Sequence, residues 1–408
     1  MSLTPANRFN NWDSVPFPEC LDEARVSRLG KIFARNYQKA GKVPIVDQGQ
    51  GLITGWTDNE DLAIRESLPV VVFGDHTRAF KFVNFPFAVG ADGTHLLKPS
   101  QDFNVRFFYY ACLHLPLPNR GYNRHFTVLK EQNVPKPPKL EQEKIAAVLW
   151  KVQKAVEVEE KLIATARELK HSTMRQLFTR GLRGEPPKEC ELGQIPQTWE
   201  VATLGDLFGI KHGFAFKGEF FALAGGHILL TPGHFFEEGG FRDQKDKTKY
   251  YTGKFPKEYL LNEGDLLVAM TEQKAGLLGS SLLVPQSDKY LHNQRLGLIV
   301  DLNARRLDKL FLFHMFNTPE IRARIAQTAS GSKVKHTSPG KIRDLSVALP
   351  LIPEQKEIAT ILTTISNKIS VHERKRSTLQ ELFRTLLRQL MTGQIRVHDL
   401  AIDLTEIQ

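Results

Sequence analysis

The chain is short of cysteine and has no long hydrophobic run. Its three cysteines, Cys20, Cys112 and Cys190, are odd in number and far apart, which argues against a disulfide framework and for a reducing compartment. No stretch approaches the apolar length that spans a bilayer, and the opening MSLTPANRFNNWDS lacks the basic-then-apolar order of a secretion signal. A cytoplasmic location with no membrane contact is the expectation. A nucleotide-driven motor would carry a glycine-rich phosphate loop ending in Gly-Lys-Ser or Gly-Lys-Thr, and Gly331-Ser332-Lys333 has the wrong order. His227 and His234 lie seven apart, but no cysteine or acid completes a metal-ligand set around them.

What the chain does have is basic charge and enough apolar residues for two cores. At 408 residues with 41% hydrophobic side chains, a single continuous core would be unusual, so two domains are expected. The net charge of +10 favours a polyanionic partner without naming one.

A self-match at a fixed offset organises the sequence. Residues 137–183 and 350–396 align without a gap at an offset of 213, pairing Glu141 with Glu354, Gln142 with Gln355, Ile145 with Ile358, Leu149 with Leu362, and Arg175-Gln176-Leu177 with Arg388-Gln389-Leu390. Both copies carry apolar residues at three- and four-residue steps, begin at prolines (Pro137, Pro138 and Pro353) and run to a glycine (Gly181, Gly393), which predicts two long helices. A straight helix over the 40 residues from Glu141 to Arg180 would reach about 60 Å, more than one compact domain accommodates. Its apolar stripe needs a partner, and the other copy is the natural one, in an antiparallel coiled coil. Glu159 and Glu160 interrupt one stripe, and His372, Arg374, Lys375 and Arg376 the other; antiparallel pairing would set these opposite charges face to face.

The two regions before the helices read differently. Both hold short apolar runs broken by glycine and proline, such as LPVVVFGDHTRAFKFV and EYLLNEGDLLVAM, with a short helix near 104–114 in one and 308–329 in the other. Trp12-Asp13-Ser14-Val15 aligns loosely with Trp199-Glu200-Val201-Ala202, and Val134-Pro135-Lys136-Pro137 with Val347-Ala348-Leu349-Pro350. Between those borders the two regions are dissimilar. The expected class is α+β: a mixed strand and turn domain at 1–136, a central spacer helix at 137–183, a linker at 184–194, a second such domain at 195–349, a distal spacer helix at 350–396 and a tail at 397–408. One frame carrying two dissimilar domains suggests two readers of different targets.

Three segments carry a family resemblance: IPQTWEVATLGDLF at 195–208, GSKVKHTSPGKIRDLSVALPLIPEQKEIATIL at 331–362, and its first copy NRHFTVLKEQNVPKPPKLEQEKIAAVL at 123–149. With the helix ends QLFTRGLRG and QLMTGQIRV, the chain resembles, over nearly its whole length, the specificity subunit of type I restriction-modification enzymes with two target recognition domains. The first copy departs from the pattern, with Tyr122-Asn123-Arg124-His125 where the second has Gly-Ser-Lys-Val-Lys. The resemblance implies that each globular domain reads one half of a bipartite, asymmetric site in double-stranded DNA, and that the helices fix the spacing. It also implies docking of two modification (methyltransferase) subunits that use S-adenosylmethionine and, in the full complex, two motor-nuclease restriction subunits that use ATP and Mg²⁺. The chain itself is expected to be non-catalytic and to bind no cofactor. Lys136-Pro137-Pro138-Lys139 and Glu185-Pro186-Pro187-Lys188 do not fit the Asn or Asp, Pro, Pro, aromatic motif of adenine methylation.

Arginine and lysine suit guanine edges, asparagine and glutamine suit adenine, and all can touch phosphate. The DNA-binding candidates are Gln48, Gln50, His76, Arg78, Arg120, Asn123 and Arg124 in the first domain. In the second they are Lys211, His212, Lys217, Arg242, Lys245, Lys247, Lys249, Gln273, Lys274, Lys333, Lys335 and His336, with the segment Ala329–His336 foremost. Glu141, Gln142, Glu354 and Gln355, which repeat identically, are the partner-docking candidates. Two clusters invite an enzymatic reading. Asp265 with Glu272-Gln273-Lys274 loosely matches a metal-dependent nuclease, against turn residues closing a strand. Asp75-His76 could be an acid and base pair, against a DNA-facing loop or a structural turn. Phe214, Phe216, Phe220 and Phe221 read as core packing. The alternatives to a DNA-specificity role are a non-catalytic assembly scaffold and a stand-alone nuclease.

Overall fold

The structure, a computed structural model, describes residues 12–22, 30–90, 92–118, 121, 124–273, 276–332 and 334–405. The chain divides into two compact units, each discontinuous in sequence: one comprises 1–161 with 372–408, the other 162–371. Seven helices among the described residues are labelled in chain order: α1 (Val105–His114), α2 (Phe126–Lys130), α3 (Lys139–Arg180), α4 (Lys309–Phe316), α5 (Pro319–Gln327), α6 (Pro339–Arg343) and α7 (Ile352–Met391). The two predicted spacer helices are α3 and α7, and each contributes residues to both units.

In the first unit, the strand Val70–Gly74 is buried along its whole length, as its unbroken apolar sequence requires. It lies between Phe80–Val83 and Thr94–Leu97, antiparallel to both. A second sheet orders Gly55–Thr57, Val43–Val46, Phe87–Val89 and Ala63–Ile64, with Val43–Val46 parallel to Phe87–Val89. In the second unit, Leu266–Ala269 takes the central place between Ser281–Leu283 and Leu296–Val300, again antiparallel to both. His227–Leu230 runs parallel to Tyr290–His292 and antiparallel to Tyr250–Tyr251. The two domains therefore share a topology that their sequences do not reveal.

Each domain is closed by pairing its first strand with its last. Asp13–Pro16 pairs with Asn133–Lys136, and Glu200–Thr203 with Ser346–Leu349, so the matched borders in the sequence are these closing strands. The segment expected as a linker is an ordered hairpin, Pro187–Cys190 on Gly193–Pro196. The helix expected over 308–329 is two: Thr318 caps α5 through its side chain and Pro319 opens it, a position where a missing N–H costs nothing. Helices α2 and α6 are too short for their periodicity to show in sequence.

The long helices join the core of each unit. In the first, Ile145, Ala146 and Leu149 of α3 and Leu390 and Met391 of α7 pack with Phe17, Phe107, Phe108 and Tyr110. In the second, Met174 and Leu177 of α3 pack with Ile358, Ala359 and Leu362 of α7 beside Trp199, Phe311 and Phe316. In both units the beginning of one helix meets the end of the other, so the pairs are antiparallel. Gly181 ends α3 at φ +65°, and its Cα faces Trp199 and the Glu354 carboxylate so closely that a Cβ would collide.

Candidate nucleic-acid interface

In the first unit, the loops that follow two adjacent strand ends are tied together. The Thr77 hydroxyl donates to the Gln48 carbonyl, the Gln50 side-chain amide donates to the Thr77 carbonyl at 3.4 Å, and the His76 amide donates to Gln48 Oε1 at 3.4 Å. Lys81 Nζ, buried and with its pKa lowered by that burial, donates to the Asp47 carbonyl at 2.7 Å. Asp75 fixes the second loop from below. Its buried Oδ1 accepts the amides of His125 and Phe126, each at 2.7 Å, and its Oδ2 is 3.6 Å from His95 Nε2. Asp75 is thus an internal clamp that places exposed Arg124 next to the loop, not a catalytic acid. Gln48, Gln50, His76 and Arg124 are brought together on this scaffold. The Arg78 guanidinium is turned to the Leu117 carbonyl at 2.9 Å, and Arg78 sits at φ +60°, a conformation that defines the turn.

In the second unit the candidates fall into three groups. The hairpin from Ser330 to His336 exchanges both backbone bonds between those residues, and Lys335–His336 pairs with Thr271–Glu272. That pairing brings exposed Lys335, His336 and Gln273 to one edge. Exposed Arg242, Lys245, Lys247 and Lys249 lie along one loop and its short 3₁₀ turn, ordered by the Asp243 carboxylate accepting the Lys245 amide at 2.9 Å. Lys211 and His212 end a strand, and Lys211 Nζ is already engaged with the Glu258 carbonyl at 3.1 Å and the Tyr259 ring at 4.6 Å. Lys217 is exposed, 3.9 Å from Glu219. Arg120, Asn123, Lys274 and Lys333 lie outside the described residues.

The nuclease-like cluster is structural. Asp265 accepts the Asn262 amide at 2.8 Å in a turn, and buried Glu272 accepts the amides of Gly276, Leu277 and Leu278 at 3.1, 2.9 and 2.9 Å. Arg322, which no sequence motif marks, holds the same loop by donating to the Leu278 carbonyl at 2.6 Å and to the Gly276 carbonyl. Burial lowers its pKa to about 10. Among the described residues, no three His, Cys, Asp or Glu side chains are placed to hold a metal ion, and no helix is long and apolar enough to cross a membrane. Phe216 is buried and Phe214 packs against it, as a core reading expects, whereas Phe220 and Phe221 are exposed at the sheet edge.

The four partner-docking candidates are buried, and their polar groups bond within the chain. Gln142 Oε1 accepts the Asn104 amide at 2.8 Å while its Nε2 donates to the carbonyls of Asp102 and Pro137 at 3.0 and 2.9 Å. Gln355 repeats this with the Asp308 amide and the carbonyls of Arg306 and Pro350, all at 2.8 Å. Asn104 and Asp308 are the N-caps of α1 and α4, so each glutamine pins the start of a long helix to the start of a domain helix. Glu141 binds Arg396 twice, at 2.7 and 2.8 Å, and accepts from Trp12 Nε1 at 3.2 Å. Burial raises the Glu141 pKa, but the Arg396 and Trp12 bonds outweigh it and hold the carboxyl below its usual range. Glu354 accepts the Leu182 amide at 2.8 Å. The expected charge contact between helices is present: Glu159, buried, lies 2.7 Å from His372 and 2.6 Å from Lys375.

Two domains of common topology and unlike loops are each mounted on a repeated antiparallel helix pair. Residues 196–381 match the family description "Type I restriction modification DNA specificity domain". The chain is 25% identical over 275 residues to the MjaVIII specificity subunit of Methanocaldococcus jannaschii, a match covering 67% of this chain and 64% of that one. It is 25% identical over 236 residues to the EcoBI specificity subunit of Escherichia coli, covering 56% and 44%. The chain thus spans less than two thirds of the length of these relatives. In fold it is similar to the crystal structure of the type I restriction-modification S subunit from M. genitalium, with a TM-score of 0.63, 16% identity, and 95% and 98% of the two chains covered. Residues 196–381 thus match a type I specificity domain, and the chain resembles type I specificity subunits in sequence over about two thirds of its length and the M. genitalium S subunit in fold.

Proposed function

We propose that the chain is the DNA-specificity subunit of a type I restriction-modification complex, in which each globular domain reads one half of a bipartite, asymmetric site. The observation that carries this reading is the shared topology: the same strand ends in both domains bear unlike loops, Gln48, Gln50 and His76 in one and the Arg242–Lys249 loop and Gln273 in the other. Loops set on a rigid sheet can change base readout without changing the fold. In this reading the repeated long helices, which contribute to both units, set the length of the unspecified gap in the DNA site.

The helices also supply the docking surface for two modification subunits. With Glu141, Gln142, Glu354 and Gln355 turned inward, that role falls to exposed apolar positions that recur at the repeat offset of 213, Val158 with Val371 and Leu169 with Leu382, all roughly half exposed. Each unit carries one valine and one leucine of this set, which suits one copy of the same partner per unit. S-adenosylmethionine, ATP and Mg²⁺ are used by the partner subunits, not by this chain.

The test is selection from a pool of random duplexes by the chain with its modification partner at physiological salt, followed by sequencing. Two short blocks at a fixed gap are expected. An intact complex that retains no preferred sequence would replace this reading with that of an assembly scaffold.

A further inference from the structure

We propose that Leu223 is a wedge that enters a base step of duplex DNA in the half-site read by the second unit. The proposal rests on the DNA-reading function above and adds to it a side chain that reads by deforming the duplex. Leu223 is 90% exposed, at the tip of the loop that joins Phe221–Ala222 to the strand beginning at His227. The loop is short and closely seated at its second glycine. Gly225 and Gly226 take φ +82° and +64°, and Gly226 packs so closely on the Tyr251 carbonyl that a side chain there would collide. The base of the tip is braced by aromatic rings: Phe220 and Phe221 lean on Tyr251 with centroids 5.9 and 6.1 Å apart, and Tyr251 belongs to a small core with Phe216, Leu229 and Leu291.

Two exposed lysines belong to the segments beside this apolar tip. Lys249 Nζ stands 5.9 Å from the centre of the Phe221 ring, and exposed Lys217 lies just before the 3₁₀ turn that leads to it. Leu223 projects beyond the half-exposed Phe220 and Phe221 rings, which pack on Tyr251. This single aliphatic tip near Lys217 and Lys249 suits an apolar side chain entering the base stack while ammonium groups meet phosphates.

The first domain shows the same loop with ordinary chemistry. Gln38 pairs with Trp56, which pairs with Pro44, as Ala222 pairs with Tyr250 and Tyr250 with Ile228. Five residues separate the outer partners in both cases, so exposed Lys39 occupies the place of Leu223. The wedge therefore belongs to one half-site and not to the other.

The experiment uses the full chain with its modification partner and the selected duplex, carrying 2-aminopurine at successive positions of each block. The wild-type chain should raise fluorescence at one step of the block read by the second unit. Leu223→Ala should abolish that rise and weaken binding on the order of 10-fold, as expected when a wedge is lost from a bent site. Leu223→Met should retain the rise, and Lys39→Ala should leave it unchanged. Because Leu223 is exposed, the thermal midpoint should not move. Specific binding by the wild type with no rise at any position, or an unchanged rise in Leu223→Ala, would overturn the wedge while leaving DNA reading intact. A Leu223→Ala chain that keeps the rise but loses its modification partner would assign the side chain to a protein contact instead. A wild-type chain that selects no sequence at all would remove the proposal together with the function on which it rests.

Discussion

Replacing Gln355 with leucine removes three hydrogen bonds without opening a cavity, and the structure sets the size of the effect. The side chain is fully buried, and the change leaves the Asp308 amide and the Arg306 and Pro350 carbonyls without their partner. A buried unsatisfied group costs about 1–3 kcal/mol, and carbonyls with a second lone pair fall at the low end, so a loss of about 3 kcal/mol is expected. For a unit of roughly 200 residues this lowers the thermal midpoint by about 6–12 °C. Gln142→Leu should do the same in the first unit, since its partners are equivalent. Gln355→Glu is the sharper variant. A carboxylate still accepts from Asp308 but faces two carbonyls with no hydrogen to give, so the damage should be greater at neutral pH and ease in mild acid, where protonation restores one donor. Calorimetry of the three variants checks this. Shifts below about 2 °C for both leucine variants would refute the argument that these glutamines hold domain to helix.

Acid should destabilise the second unit early. Burial keeps His234 and His292 neutral, with pKa values lowered to about 4, and His314 lowered to about 3. Unfolded histidine protonates near 6.5, so the stability these residues contribute is complete above that pH and is lost as pH falls from 6.5 towards 4, at about 1.4 kcal/mol per pH unit for each. A thermal midpoint for this unit that stays constant from pH 7 to 5 would contradict the assignment. Asp75→Ala should cost about 1–3 kcal/mol by stranding two buried amides, whereas Asp75→Asn keeps an acceptor and most of the stability; equal losses in denaturant titrations would count against the clamp. Glu159→Gln should lower the midpoint of the first unit, with less effect at high salt, because one carboxylate serves both His372 and Lys375.

The helical repeat was legible because amphipathic periodicity over many turns leaves a regular pattern, and the contact of Glu159 with His372 followed from antiparallel pairing alone. The paired end strands were legible because the first of each pair follows a tryptophan and the last precedes a proline. The common topology of the two domains was not, since the pairing of Val43–Val46 with Phe87–Val89 and of His227–Leu230 with Tyr290–His292 joins residues more than 40 apart through short strands. Glu141, Gln142, Glu354 and Gln355 make matching internal bonds in the two units, the glutamines to the starts of α1 and α4 and the glutamates to the segments that follow α7 and α3. In sequence this repetition looks like a shared partner. Arg322 and Asp75 act on loops distant in sequence, and no local spacing announces such a role.

Independence of the two readers is the claim most directly open to measurement. Selection from random duplexes should be repeated with Gln50→Ala, in the first domain, and with Lys335→Ala, in the second. The account predicts that Gln50→Ala relaxes positions in one block only, while the other block and the gap between them stay as in the wild type, and that Lys335→Ala leaves the first block untouched. Changes that spread across both blocks, or a gap that shifts with either substitution, would contradict it.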